Sequence, residues 1–253
     1  MIGLLWPGFL PTPTGPFIFK PVPLPFNPGG TVYQTTSSRH DSSVTPTGGY
    51  VPVLYGRCKI PGKFINCKVI NTYLHMIYLF GVGEFESYET IYVNDKVYTE
   101  YGSAVHVEKY YGTQTQTVCS LNSYDATWTN ALTGEAYLYM RFIQTNDIQD
   151  LPTVEAICKG KKIYDPRTGT IYYSANPALV MADVMTETNY YGARIASSLI
   201  DWDSVSLAAN RCDEIVGTDK RFEFNYCFDE QRPLNDVFDI IRIHFLGSKP
   251  IVM

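Results

Sequence analysis

Between Val51 and about Ile163 the chain alternates short apolar runs with polar punctuation. VPVLYG, KFINCKVI, TYLHMIYLFG, ETIYVND, KVYTEYG, VHVEKYYG, AYLYMRFIQT and TVEAICKGKKIY are each rich in β-branched or aromatic residues. Gly, Asn-Asp and Pro-Gly separate them, which is the punctuation of strands and turns. Asn94-Asp95, between two such runs, predicts a hairpin turn. The spacing predicts a mainly antiparallel, barrel-like sheet over residues 44–163.

From Asn176 the period lengthens. Asn176 is a good helix N-cap, and Pro177 stands where a missing N–H costs nothing. Leu179, Ala182 and Met185 then recur at helical spacing. A second helix is predicted from Asp201 or Asp203, with Val205, Ala208, Ala209 and Cys212 on one face and Gly217 as its stop. RFEFNYCF reads as one strand with Phe222, Phe224, Tyr226 and Phe228 on a shared face. Pro233 opens a third helix that places Leu234, Val237, Phe238, Ile241 and Phe245 together and closes at Gly247. Residues 164–253 are therefore expected to form an α+β part.

The junction of the two parts, YDPRTGTIYYSANPALVMADVMTETNYYG at 164–192, is crowded with polar groups. Catalysis here would need a nucleophile with a base, or carboxylates of separated pKa. Asp165, Asp183 and Glu187 are the only acids in the stretch, and no histidine is near in sequence. A joint uses every residue. Asp165, Pro166, Thr168 and Gly169 fix a turn, Arg167 ties it to a carboxylate, and Asn176 and Pro177 set the angle of a helix. On that reading the tyrosines fill the surface between domains, and Asp183 points to water or to a neighbouring arginine.

Residues 1–43 differ from both parts. Eight prolines among the first thirty residues deny a helix, so neither a signal peptide nor a membrane span is expected there. An extended arm and polar linker are expected instead, with Trp6, Phe9, Phe17, Phe19 and Phe26 as anchors in a groove of a neighbouring chain. The net charge of −5 gives no basic face, so DNA is expected to pass without specific binding. Six cysteines without a C-x-x-C pair and four scattered histidines point to free thiols, no metal and no cofactor. GVG at 81–83 lacks the third glycine of a dinucleotide loop. Twenty tyrosines suit either a β-rich fold or surfaces that end against partners.

Several segments carry a resemblance. VPVLYGRCKIPGKFI at 51–65, GVGEFESYETIYVNDKVY at 81–98 and GTQTQ at 112–116 occur in that order. IYDPRTGT with YSANPALVMADVMT spans 163–186, and LIDWDSVSLAANRCDE and FEFNYCFD follow at 199–214 and 222–229. Together they resemble the tail-tip and baseplate-hub family of long-tailed bacteriophages, which includes the lambda-type tip attachment protein and its relatives in gene-transfer particles. The resemblance implies a non-enzymatic virion protein, a homotrimeric hub closing the distal end of the tail tube, assembled in the host cytoplasm. Its implied partners are other copies of itself, the distal tail, tube and tape-measure proteins, and other tip proteins, with no stable membrane insertion. Family members extend well beyond the matched region, and the proline-rich arm has no counterpart in their pattern, so a short or split hub is expected. The rival readings are a virion-associated cell-wall hydrolase and a receptor-binding module.

Overall fold

Residues two apart share a strand face, and here both faces of the central strands are buried, so one sheet separates two cores. A computed structural model of the chain describes residues 50–188 and 191–247, with the backbone of Ile18 and Phe19. The elements begin with β1 Ile18–Phe19, β2 Val53–Tyr55, β3 Arg57–Pro61, β4 Lys63–Ile70, β5 Tyr73–Val82, β6 Phe85–Val93, β7 Lys96–Val97 and β8 Val105–Tyr111. Next come α1 Leu121–Tyr124, β9 Glu135–Ile143, β10 Val154–Asp165, β11 Thr170–Tyr173, α2 Pro177–Thr186 and α3 Trp202–Asp213. The described chain closes with β12 Ile215–Val216, β13 Asp219–Lys220, β14 Tyr226–Phe228, β15 Arg232–Pro233 and α4 Leu234–Ile243.

The fold is mainly β, and every strand pairing is antiparallel. One sheet has the order β4-β5-β9-β8, and a second has β11-β10-β6-β7 with β3 also on β10. Among the described residues these pairings close no barrel. The two sheets share an apolar core built from Met76, Tyr78 and Phe80 of β5, Leu138, Met140 and Phe142 of β9, and Ile91, Val93, Val154, Ala156 and Cys158. The alternate residues of β5 and β9, Ile77, Leu79, Tyr137 and Tyr139, belong to the other core. There they join Leu179, Val180 and Val184 of α2, Ala209 of α3, Phe224, and Val237 and Ile241 of α4.

β10 serves both cores by changing phase. Its buried positions run Val154, Ala156 and Cys158, then Lys161, Ile163 and Asp165. The change falls at Gly160, whose N–H bonds the Gly56 carbonyl at 2.8 Å. A Cβ at Gly160 would sit 2.3 Å from the Leu54 carbonyl oxygen, so only glycine lets β2 approach this closely. The sequence boundary at 163/164 lies inside this strand.

Three local expectations are corrected. In KVYTEYG only Lys96–Val97 is strand, and Tyr98–Ala104 forms 3-10 turns. In RFEFNYCF only Tyr226–Phe228 is strand. The residues before it bond singly to helix ends, Phe222 N–H to the Cys212 carbonyl (3.1 Å) and Phe224 N–H to the Ala175 carbonyl (2.7 Å), instead of joining a ladder. Gly217 does not stop α3, which ends at Asp213 because the returning chain takes up its carbonyls; Gly217 instead turns the β12–β13 hairpin at φ +73°.

Candidate functional site

α2 sets the frame. All of its residues except Asp183 and Thr186 are buried, so it is held from every side, as an apolar helix must be. Asn176 caps it as the sequence predicts: Oδ1 accepts from the N–H groups of Ala178 (3.1 Å) and Leu179 (3.5 Å). Its Nδ2 donates to the Ala209 carbonyl of α3 at 2.9 Å, so one side chain starts α2 and ties it to α3. Pro177 follows as the first helical residue.

At the N-terminal side of α2 stands an arginine network. Asp165 is fully buried and accepts from the Arg167 N–H (2.8 Å), Nε (2.9 Å) and Nη2 (2.7 Å), and from the Tyr172 hydroxyl (2.6 Å). Arg167 reaches on to Asp213 (2.8 Å) and Asn210 (3.1 Å) of α3. Pro166 stands between Asp165 and Arg167 in the turn, and Gly169 closes it at φ +70°, its N–H on the Asp165 carbonyl at 2.9 Å. Burial pushes the Asp165 pKa up, but the hydrogen bonds from Arg167 and Tyr172 outweigh it and hold the carboxyl below its ordinary range. Of the tyrosines expected to fill the surface between domains, Tyr164 and Tyr172 are exposed, Tyr172 contributing through its hydroxyl, whereas Tyr173 is half-buried and Tyr191 buried.

At the other end of α2 stands a lysine network that sequence reasoning missed. Lys161 Nζ donates to Asp183 Oδ2 (2.8 Å), Glu187 Oε2 (2.7 Å) and the Tyr191 hydroxyl (2.8 Å). The Tyr55 hydroxyl, buried from the VPVLYG segment, donates to Asp183 Oδ2 at 2.5 Å and lies 2.7 Å from the Tyr191 hydroxyl. Asp183 therefore faces a lysine inside the protein, not water or an arginine. Burial lowers the Lys161 pKa, and its phenolic and carboxylate neighbours raise it more, so the amine is held charged. The available signal was phase: Lys161 stands two residues before Ile163, on the face that an alternating strand turns inward.

Further buried polar groups lie under the segment 113–134, which covers β5 and β9. Gln116 of the GTQTQ element latches this segment: Oε1 accepts from Gly112 N–H (2.9 Å), and Nε2 donates to the Ala131 (3.0 Å) and Glu135 (3.1 Å) carbonyls. His75 is fully buried, its Nδ1 2.7 Å from the Tyr139 hydroxyl. Glu135 is 9% exposed with no partner for Oε2, and burial pushes its pKa up to about 7.

Chemically these arrangements orient and fasten. Asp183 and Glu187 both bond one ammonium, Asp183 through both oxygens and Glu187 through one. Among the described residues no group of three or more His, Cys, Asp or Glu is placed to hold a metal, all six cysteines are unpaired, and no helix is long and apolar enough to cross a membrane. The arm anchors Trp6, Phe9, Phe17 and Phe26 lie outside the described residues. Of Phe19 only the backbone is described, in β1, paired with Arg232 of β15.

No protein-family model matches the chain, and no curated protein matches it in sequence. Among solved structures, a chain from the virion of a native gene transfer agent particle is similar at a TM-score of 0.41 and 16% identity, over 51% of this chain. The match spans about a third (32%) of that chain, and a likeness at this level carries no argument about function.

Proposed function

We propose that the chain is a structural, non-enzymatic component of a phage-type virion, placed at the distal end of the tail as a hub or tip protein. The observation that carries this reading is where the segments resembling tail-tip hubs put their polar residues. Tyr55 and Asp183 meet in a network that fastens α2 to β2 and β10, Asp165, Arg167, Asn210 and Asp213 meet in one that fastens the β10–β11 turn to α3, and Asn176 ties α3 to α2. Such networks fix angles between elements, which a ring subunit needs if its copies are to close. Exposed apolar side chains such as Ile171 (67%), Leu207 (71%) and Ile215 (66%) support contacts with neighbouring chains. Threefold symmetry, the tube, tape-measure and tip partners, and the passage of DNA follow from the resemblance.

A tagged chain expressed with the rest of its particle tests the proposal. The chain is expected to stay with intact particles through density-gradient banding and to be found at one end of the tail. A chain that stays soluble and cleaves cell-wall polymer, with particles banding without it, contradicts the proposal and favours the hydrolase.

A further inference from the structure

The lysine network holds the reactants of an amide bond. Lys161 Nζ lies 3.0 Å from Oδ1 and 2.8 Å from Oδ2 of Asp183. An amine bonded to both oxygens has the carbon between them near attack distance, roughly 3–3.5 Å. Glu187 Oε2 is 2.7 Å from the same nitrogen. Asp183 Oδ2 also accepts from the hydroxyls of Tyr55 (2.5 Å) and Tyr191 (3.2 Å), two donors on the oxygen that becomes negative when the carbon is attacked. The side chains of Lys161, Asp183 and Glu187 are 11%, 15% and 12% exposed. In water, hydration of the two ions opposes condensation. Burial removes most of that hydration, and the products are a neutral amide and an expelled water.

We propose that Lys161 and Asp183 condense to an isopeptide bond that staples β10 to α2, with Glu187 relaying protons and Tyr55 and Tyr191 holding the oxyanion. A proton first moves from Nζ to Asp183 Oδ1, leaving an amine facing a carboxylic acid. The carboxyl turns about Cβ–Cγ so that the nitrogen lone pair meets the carbon from above its plane. As the C–N bond forms, the C=O electron pair moves onto Oδ2, between the two phenols. Glu187 takes a proton from the nitrogen and passes it to Oδ1, which leaves as water while Oδ2 regains its double bond. Glu187 ends as the carboxylate it began, and no oxidant or cofactor is consumed. Asp183 is the electrophile because both its oxygens meet Nζ and two phenols bond Oδ2. The resting ion pair keeps the neutral amine scarce, so the bond forms slowly after folding.

Intact mass spectrometry of the denatured full chain, followed by peptide mapping, tests this. The wild-type chain, held folded at neutral pH, is expected to weigh one water less than its sequence and to yield a branched peptide joining the fragments that carry Lys161 and Asp183. Lys161→Arg and Glu187→Gln should weigh the full sequence mass, and Tyr55→Phe should slow water loss by roughly a hundredfold. A wild-type chain that keeps its full mass overturns the proposal even if every variant misfolds. Loss of water that persists in Lys161→Arg overturns it as well, because the lost water then comes from elsewhere.

Discussion

The two cores of this molecule share β5, β9 and β10 and are built on different principles. Between the sheets the contacts are apolar, and the Tyr78 and Tyr88 hydroxyls that enter are used up on the Pro152 (2.6 Å) and Tyr110 (3.2 Å) carbonyls. The buried polar and charged residues His75, Glu135, Lys161, Asp165, Ser174 and Asn176 belong to the other side, beneath the segment 113–134 and around α2. Apolar contact is non-directional and tolerates small slips, whereas a buried charge is expensive unless its partners stand in fixed directions. The sandwich supplies bulk stability, and the polar side sets angles. Exposed apolar residues occur on both sides. The two sheets, with the β9–β10 loop, show Val69, Ile143, Leu151, Tyr164, Ile171 and Tyr172, while the segment 113–134 and the shorter α2–α4 part show Tyr124, Leu199, Leu207, Ile215, Val216, Ile243 and Leu246.

Substitutions on either side can break this contrast. Lys161→Met, compared with freshly folded wild type in which the amide has not yet formed, leaves two buried carboxylates without their cation and should cost about 3–5 kcal/mol in denaturant unfolding, with α2 loosening first. Leu138→Ala, between the sheets, should cost about 2–5 kcal/mol whatever the pH, since no titrating group is involved. Glu135 separates the sides by pH. Its folded pKa, about 7, lies above its unfolded value, so the folded chain binds the proton more tightly and stability falls as pH rises through that interval. Glu135→Gln should therefore gain on the order of 3 kcal/mol over wild type at pH 8 and almost nothing at pH 4, read as the difference in melting curves. Asn176→Ala removes the α2 cap and its tie to Ala209 and should cost about 1 kcal/mol or somewhat more. Removing residues 1–30 should have the smallest effect on melting while weakening assembly; a truncated chain that unfolds would place the arm in the core.

Strands were legible where runs of β-branched and aromatic residues were bounded by turn signals, as in β4, β5, β8 and β9, although the ladders shift register near Phe64 and Leu79. The Asn176-Pro177 start of α2 and the Asp165–Gly169 turn were legible because their chemistry is local. What escaped depends on long-range placement. β3 hid between two glycines, and RFEFNYCF alternates like a strand although Phe222 and Phe224 are held by helix ends. The phase of Lys161 with Ile163 could have placed its side chain inside, but not named Asp183, 22 residues later, as its partner, because that pairing depends on how α2 packs on β10. A barrel was expected because antiparallel runs at even spacing suit barrels and facing sheets alike, and only the pairings distinguish them.

Hydrogen exchange resolved by residue on the full chain tests most directly whether α2 is clamped by its polar networks. Amides of α2 should exchange as slowly as those of β9, by global opening alone, and Lys161→Met, which removes the cation bonded to Asp183 of α2, should speed α2 while leaving β5 and β9 unchanged. Wild-type α2 amides that exchange well ahead of β9, or a Lys161→Met chain with α2 still fully protected, would contradict it.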